Sequence, residues 1–337
     1  MPDDGWTALA ASCPSATIFH HPAWSQLLTE CYGYRPVLLK CADSTGRVVA
    51  GLPVQDVRSW LNGRRAIALP FSDHVPPLAV DDSALAWLVS RLQEWREGSG
   101  LPRLEVHAEL PLQEGIFHQE TVAYHTLALA QDPSEVDRRF KKRQVRQHIR
   151  QAVNAGVTIH RGESQKDLEL FYGLHLQTRR RLGTPVQPLR FFRLLWDRLL
   201  SQGLGFVLLA YKGSQLLAGG VFLHWNGVLT YKYSASDQAY WRLSGNNLLM
   251  WHAIQWGCEH GYRLLDWGRT DLWSEGLLDF KRAWGTDEQL LSYSVLADQE
   301  PSPKYAGRSR KWLSSIIERS PAWVCRGIGE VLYGHYA

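Results

Sequence analysis

The chain has 337 residues, of which 45% are hydrophobic and 21% charged, and its formal net charge at pH 7 is +4. This length fits two ordinary domains, each with its own hydrophobic core, and the composition is typical of a globular protein in water. Because the net charge is so small, the protein surface as a whole does not attract polyanions. Any binding of a polyanion therefore depends on local clusters of charge.

The cysteines argue against a metal centre and against a disulfide framework. They are odd in number, scattered and without CxxC spacing, which favours a reducing compartment: Cys13, Cys31, Cys41, Cys258 and Cys325. The N-terminus lacks a basic segment followed by an apolar one, and no apolar run approaches the roughly 20 residues that span a bilayer. We therefore expect a cytoplasmic protein with no metal site.

The first part of the chain predicts a short helix and then a strand-rich segment. Pro22 suits a first helical turn, and the helix is expected to end near Gly33. A hairpin is predicted with strands over 36–40 and 47–51. A strand over 65–69, a loop, a helix over 83–97 and a strand over 103–106 follow.

The same order of elements returns about 170 residues later, which indicates an internal repeat. The second copy has hairpin strands over 206–210 and 215–219, a strand over 228–234, a helix over 247–260 and a strand over 263–267. We interpret the repeat as a duplication. It predicts an α/β (α+β) fold of two tandem domains, each a mixed, mostly antiparallel sheet flanked by helices.

The loop over 69–77 in the first copy contains three of the chain's prolines and presents Asp73 and His74. Prolines stiffen a surface turn, and an aspartate in such a turn often caps its own backbone. The residues alone leave open whether Asp73 caps this turn or contacts a substrate.

Residues 137–156 predict one basic amphipathic helix between the two copies. Its apolar stripe is narrow, and it carries seven cations in thirteen residues, namely Arg138, Arg139, Lys141, Lys142, Arg143, Arg146 and Arg150. It is either a solvated linker helix or a surface facing the phosphates of a nucleotide, a tRNA backbone or an anionic lipid head group. A capping-box pattern at Ser164 then predicts a helix that runs to about Arg181.

The strand over 228–234, the Gly/Asn loop after it and the helix over 247–260 together form a natural anion site. The first turn of a helix has unpaired N–H groups and a positive dipole end, and a glycine lets a phosphate approach the backbone. The alternative is a structural turn with an asparagine cap.

This segment carries a resemblance. Arg242-x-x-Gly245-x-Asn247 resembles the (Q/R)-x-x-G-x-(G/A) loop of the GNAT acyltransferase superfamily, with Asn247 where that pattern has a small residue. With the segments 266–270 and 280–285, the run is similar to the FemAB-like branch, whose members are duplicated GNAT folds that attach aminoacyl or acyl groups to cell-envelope precursors.

The resemblance implies two tandem GNAT-type domains and a set of site residues. It assigns Lys281 to the transfer step and the loop containing Asp73 to contact with the acceptor. From the residues alone, Lys281 is alternatively a surface lysine whose stem packs on apolar neighbours. Tyr233, near the end of its strand, is our candidate for protonating the leaving group, although Tyr231 or Lys232 is exposed instead if the strand faces the other way. The predicted phosphate contacts are Arg242, Ser244, Gly245, Asn246, Asn247, Arg143 and Arg146, and the predicted acceptor contacts are His74, Asp266 and Arg269. For Asp266 and Arg269 the alternative is a mutual salt bridge.

The chemistry expected is acyl transfer by direct attack of an amine. The chain has no Gly-x-Ser-x-Gly elbow and no cysteine with an active-site signature, so nothing indicates a covalent acyl-enzyme. The resemblance implies no permanently bound cofactor and leaves the co-substrate open between acyl-coenzyme A and aminoacyl-tRNA. The implied acceptor is an amine of a small-molecule or lipid-linked saccharide or peptide in bacterial peptidoglycan or polysaccharide biosynthesis.

We predict a first domain over 1–136, a basic linking helix over 137–157, a second domain with the donor loop over 158–300 and an amphipathic tail over 301–337. The hydrophobic stretches of the tail are short and interrupted by acidic residues, which favours docking on the protein over peripheral membrane contact. The alternative function is a non-catalytic scaffold that holds a polyanion or a partner at a membrane face.

Overall fold

The computed structural model describes residues 3–141, 143–301 and 308–336. The chain forms two compact units that are not contiguous in sequence. Unit 1 comprises the described residues of 1–123, 290–304 and 334–337, and unit 2 those of 124–289 and 305–333. The compact units thus divide the chain differently from the predicted boundaries, since the basic segment belongs to unit 2 and a strand near residue 295 belongs to unit 1.

Unit 1 contains most of the first half of the chain. Its elements are α1 (Asp4–Ser12), α2 (Pro22–Tyr32), β1 (Arg35–Ala42), β2 (Val48–Ser59), β3 (Gly63–Ile67), β4 (Leu78–Ala79), α3 (Asp82–Gly98) and β5 (Arg103–Val106). The strand β6 (Ile116–Ala128) leads from this part of the chain into residues of unit 2.

Unit 2 begins with two short helices and continues as the second copy of the repeat. Its elements are α4 (Pro133–Arg138), α5 (Arg143–Asn154), β7 (Val157–Gly162), α6 (Gln165–Arg181), α7 (Leu189–Arg198), β8 (Gly205–Lys212), β9 (Gln215–Trp225), β10 (Val228–Ser236), α8 (Gly245–Glu259), β11 (Leu264–Thr270) and α9 (Glu275–Ala283). The chain then passes through β12 (Asp287–Ala297) to α10 (Arg308–Arg319) and α11 (Ala322–Leu332).

The two copies share one strand topology. In unit 1, β1, β2 and β3 pair antiparallel in sequence, and β3 pairs in parallel with β5. In unit 2, β8, β9 and β10 pair antiparallel, and β10 pairs in parallel with β11. In each copy one helix, α3 or α8, directly precedes the strand that pairs in parallel, β5 or β11. The predicted fold class, a mixed α/β fold with two copies of one motif, is confirmed.

Helix α6 begins at the predicted capping box. The Ser164 hydroxyl accepts from the Asp167 N–H, and the Asp167 carboxylate accepts from the Ser164 N–H. The reciprocal bonds satisfy two of the donors that every helix start leaves open. The helix ends at Arg181, as the pattern predicts.

The single basic helix predicted over 137–156 is wrong, because the structure has two helices, and the described residues 139–141 between them are not helical. Phe140 is buried and meets Trp251 and Trp284 edge to face, at ring-centroid distances of 5.8 and 5.0 Å. The Lys141 N–H donates to the Ala283 carbonyl at 3.1 Å. These tertiary contacts turn the chain out of the helix, and α5 then packs against α8 as part of the core of unit 2.

The tail forms two helices that belong to unit 2. Leu189 N–H donates to the Glu330 carboxylate at 3.2 Å, which ties α11 to the start of α7. No helix in the described part of the chain is both long and apolar enough to cross a bilayer.

Candidate functional site

A cleft of about 760 Å³ opens in unit 2 at the N-terminus of α8. Its walls come from the end of α6, from β9, from the segment between β10 and α8, and from the first turns of α9. The residues that line it are Arg181, Leu217, Ala218, Ser236, Asp237, Tyr240, Trp241, Ser244, Gly245, Asn246, Asn247, Gly276, Leu277 and Phe280. Four of the predicted phosphate contacts are among them, namely Ser244, Gly245, Asn246 and Asn247.

The first turn of α8 is open toward this cleft. Ser244, the N-cap residue, has a left-handed backbone with φ of 54°, and its side chain makes no cap hydrogen bond. Its carbonyl accepts from the N–H groups of Asn247 and Leu248, at 3.0 and 3.3 Å. The side-chain oxygen of Asn246 is buried without a hydrogen-bond partner. A helix start without a side-chain cap has N–H donors and a positive dipole end to offer to an anion.

Gly245 lies against the sheet. A methyl group built on Gly245 would meet Ala210 and Leu217 at 3.5 Å and Ala218 at 3.7 Å, which is ordinary van der Waals contact. The side of Gly245 on which a side chain would stand therefore faces the strands β8 and β9, and the packing leaves room there for an alanine.

Arg181 and Trp241 are cleft residues that the motif search missed. The Arg181 guanidinium lies 4.8 Å from the centre of the Trp241 ring, and the Trp241 indole N–H donates to the Ser236 hydroxyl at 2.9 Å. Arg181 is the only cation among the described residues that line the cleft. The run of three arginines at 179–181 was the available signal, but it lies more than 60 residues before the loop.

The parallel strands β10 and β11 separate beside the cleft. They pair only over Val228–Thr230 against Leu264–Asp266. Beyond that point β10 has an irregular register with β9 between Tyr231 and Tyr233, as a β-bulge produces. The end of β11 is consequently not paired with β10.

Lys281 binds the end of β11. The side chain is 5% exposed, and its ammonium group donates to the carbonyls of Trp267, Gly268 and Arg269, at 2.7, 2.9 and 3.1 Å. An ammonium group has three N–H donors, and these three bonds occupy them. Lys281 is not among the described cleft residues. Its role in the transfer step stays a prediction, and the contacts seen are those of a group that holds the strand end.

Tyr233 lies in an aromatic cluster. Its ring is 5.7 Å from the ring of His175 and 5.5 Å from that of Phe192, with Phe191 at 6.1 Å. His175 Nε2 lies 2.9 Å from Gln187 Oε1, and burial lowers the pKa of His175 to about 4. Tyr233 is half-buried and is not among the described cleft residues, so its proposed proton transfer stays a prediction.

Asp266 is buried at the point where β10 and β11 separate, and its carboxylate accepts from the Gly268 N–H at 2.7 Å. Gly268 has φ of 68°, a conformation that glycine adopts without strain. Asp266 thus fixes the backbone of the last part of β11, where Arg269 follows Gly268. Their predicted contacts with the acceptor stay predictions.

The predicted cationic contacts differ in their surroundings. Arg242 is exposed, and its carbonyl accepts from the Gln151 side chain at 2.7 Å, which ties α5 to the loop before α8. Arg143 is exposed at the start of α5. Arg146 instead binds Asp137, with its Nε at 3.0 Å from both carboxylate oxygens and its Nη2 on the Asp137 carbonyl. This ion pair keeps Arg146 at the junction of α4 and α5, where we had predicted a phosphate contact.

Asp73 and His74 belong to unit 1, in a strained loop. Leu69 and Phe71 have φ of 56° and 63°, a conformation costly for bulky residues. The Tyr293 hydroxyl donates to the Asp73 carbonyl at 2.6 Å, and burial lowers the pKa of His74 to about 4. The acceptor roles predicted for both stay predictions. Within the part of the chain that the structure describes, no group of three or more His, Cys, Asp or Glu side chains is placed to hold a metal ion.

Comparison with known proteins agrees with this architecture. Residues 139–282 match the family described as acetyltransferase (GNAT) domain. The fold is similar to that of the crystal structure of FemX, with a TM-score of 0.71 and 15% identity over 89% of this chain and 97% of that one. It is also similar to the C-terminal domain of a putative lysylphosphatidylglycerol synthetase from Agrobacterium fabrum, with a TM-score of 0.56 and 14% identity over 93% and 95% of the chains.

A third similar structure is L-PGS from Bacillus licheniformis, with a TM-score of 0.52 and 12% identity over 89% of this chain and 97% of that one. No curated protein matches the chain by sequence. All residues that line the cleft at α8 lie within the range 139–282 that matches the GNAT family, and the chain has the fold of the FemX crystal structure.

Proposed function

We propose that this acyltransferase moves an acyl or aminoacyl group from a phosphate-bearing carrier to an amine of a cell-envelope saccharide or a peptidoglycan-type precursor. The observation that supports the proposal best is the start of α8, which has no side-chain cap and opens into a cleft beside Arg181. A helix N-terminus with a nearby guanidinium is suited to a pyrophosphate or phosphodiester.

Direct attack by the acceptor amine suits the residues present. A covalent acyl-enzyme needs a nucleophile with an adjacent base. The described residues of the cleft wall include no cysteine, histidine or lysine, and one of its two serines, Ser236, accepts a hydrogen bond from Trp241. The place where β10 and β11 separate is where the carbonyl of the acyl group would lie, since backbone N–H groups stabilise a developing oxyanion.

Two carriers fit this description, acyl-coenzyme A and aminoacyl-tRNA. The phosphate site at α8 serves either one. Arg242 and the basic helix α5, which contacts the loop before α8, favour a larger polyanion. The lysylphosphatidylglycerol synthetase name of one structure with this fold is also in keeping with an aminoacyl group.

The test is transfer measured by mass spectrometry, with purified protein, acyl-coenzyme A and charged tRNA as donors, and amino sugars and peptidoglycan-type peptides as acceptors. Arg181→Ala should raise KM for the donor by a factor of about 10 to 150, because it removes a charge-assisted bond worth about 1.5–3 kcal/mol. Arg190→Ala is the matched control, because Arg190 is an exposed cation on α7 that does not line the cleft. This substitution should change KM for the donor little. A folded protein that binds neither donor and transfers nothing would refute the proposal.

A salt series separates the two donors. If tRNA is the donor, RNA affinity should fall steeply with salt, and Arg143→Ala should reduce that slope by about one. Arg146→Ala is the informative contrast, because its guanidinium is bound to Asp137; it should affect the stability of the α4–α5 junction more than the salt slope. If neither substitution changes RNA binding or turnover, the donor is not held by α5.

A further inference from the structure

The turn between β2 and β3 in unit 1 presents two large apolar side chains to solvent. Trp60 is 68% exposed and Leu61 is 43% exposed, at the tip of the hairpin. Single exposed apolar residues are common on protein surfaces, but a Trp–Leu pair at a projecting tip forms a small apolar patch. Neither residue has a role in the cleft of unit 2.

The backbone of this tip is satisfied by the protein. The Ser59 hydroxyl accepts from the N–H groups of Leu61 and Asn62, both at 3.2 Å, and the Arg65 guanidinium donates to the Asn62 carbonyl at 3.3 Å. A turn whose backbone groups already bond within the protein gives up fewer hydrogen bonds to water when it enters an interface, where an unsatisfied polar group costs free energy.

The tip is bonded to the C-terminal residues and has a further aromatic group beside it. The His335 carbonyl accepts from the Ser59 hydroxyl at 3.1 Å and from the Asn62 amide at 2.8 Å. The His335 ring lies 5.3 Å from the Trp60 ring, and the next residue, Tyr336, is 43% exposed. Tryptophan and tyrosine are the residues enriched where proteins meet the headgroup region of a bilayer.

The base of the hairpin is cationic. Arg58 is exposed and lies opposite Arg64 in the β2–β3 register. Arg64 binds Asp56 at 2.9 Å, and Arg65 and Arg103 bind Glu105 at 3.4 and 2.9 Å. With Arg58, these four arginines and two carboxylates have a net charge of +2. Cations placed directly behind an apolar tip complement the phosphates of an anionic membrane.

We propose that the hairpin tip of unit 1 is a membrane-contact site, with Trp60 and Leu61 in the headgroup region of an anionic bilayer and Arg58 on the lipid phosphates. The contact is peripheral and reversible, since one short apolar tip provides far less burial than a spanning helix. This site is independent of the proposed transfer reaction, and it brings the protein to the surface where lipid-linked acceptors are found.

The experiment is vesicle flotation of the full chain, with phosphatidylcholine vesicles and with vesicles that also contain phosphatidylglycerol. The wild type should float with the anionic vesicles and be released by high salt. Trp60→Ser should weaken the partition about tenfold, and Arg58→Gln about fivefold, since each cation near an anionic surface contributes about that factor. Trp323→Ser is the matched control, because Trp323 is 76% exposed in unit 2 and should leave flotation unchanged.

Circular dichroism shows whether each variant folds. If Trp60→Ser does not fold, Leu61→Ser is the second tip variant. A wild type that floats with neither kind of vesicle would overturn the proposal and leave a protein partner as the occupant of the tip. The same conclusion follows if Trp323→Ser abolishes flotation while the tip variants keep it. Transfer to a water-soluble acceptor, measured in parallel, should be equal in the wild type and in the tip variants.

Discussion

Replacing Lys281 by methionine separates a structural role of this lysine from a chemical one. Methionine keeps most of the apolar stem but removes the ammonium group that binds the carbonyls of Trp267, Gly268 and Arg269. Because the site is buried, with Lys281 only 5% exposed, these carbonyls lose hydrogen bonds that water replaces poorly. At about 1 kcal/mol for each carbonyl, the loss is about 3 kcal/mol.

For a unit of this size, that loss corresponds to a fall in Tm of about 6–12 °C. Differential scanning calorimetry measures it, and urea unfolding followed by circular dichroism provides the free energy. Arg282→Met is the control, because the neighbouring Arg282 pairs with Glu288 on the surface and exposed ion pairs contribute little. If Lys281→Met keeps the wild-type Tm and loses turnover, the stabilising role is refuted and the lysine acts in the chemistry.

The remaining predictions concern single positions in unit 2. The pKa of His175 is lowered to about 4 by burial. Between about pH 6.5 and about pH 4 the unfolded chain therefore takes up a proton that the folded chain does not. The contribution of His175 to the free energy of unfolding is complete above about pH 6.5 and is lost as the pH falls to about 4. His175→Leu should reduce the dependence of the unfolding free energy on pH in that window by up to one proton, measured by urea titrations at a series of pH values, and an unchanged slope would contradict the assignment. Gly285→Ala should cost about 2–3 kcal/mol, because φ is 75° and the new methyl group would collide with the Arg139 carbonyl oxygen. Gly261→Ala, at φ of 71° with nothing within 4 Å, isolates the backbone cost of about 1–2 kcal/mol, and equal Tm losses in the two variants would refute the collision. Ser164→Ala should lower the unfolding free energy by about 1 kcal/mol through the loss of the α6 capping box, while Ser164→Asp should retain most of it.

The elements that sequence reasoning predicted well are those with strong local patterns. The duplicated hairpins can be predicted because apolar and polar residues alternate in their strands and their turns contain glycine or aspartate. Helix α6 can be predicted because Ser164 and Asp167 form its capping box. The open start of α8 followed from the Gly/Asn loop. These features depend on residues close together in the chain.

Features that depend on distant residues were missed. The break between α4 and α5 arises because Phe140 enters a pocket made by Trp251 and Trp284, and no local pattern reports that. Arg181 reaches the cleft only because the end of α6 lies near the start of α8. The contacts of Lys281 are with backbone carbonyls, which have no signature in the sequence.

The pairing of β12 with β5 sets an order on biosynthesis. Ser294–Ala297 hydrogen-bond to Arg103–Val106 within unit 1, so the amino-terminal part of the chain leaves the ribosome with one strand edge still unpaired. That edge stays open while almost two hundred further residues are made, roughly ten to forty seconds at about 5–20 residues per second. Chaperone capture of nascent chains should therefore concentrate in that interval, and expression of the first 136 residues alone should yield an aggregating fragment, since a bare strand edge recruits other copies of itself.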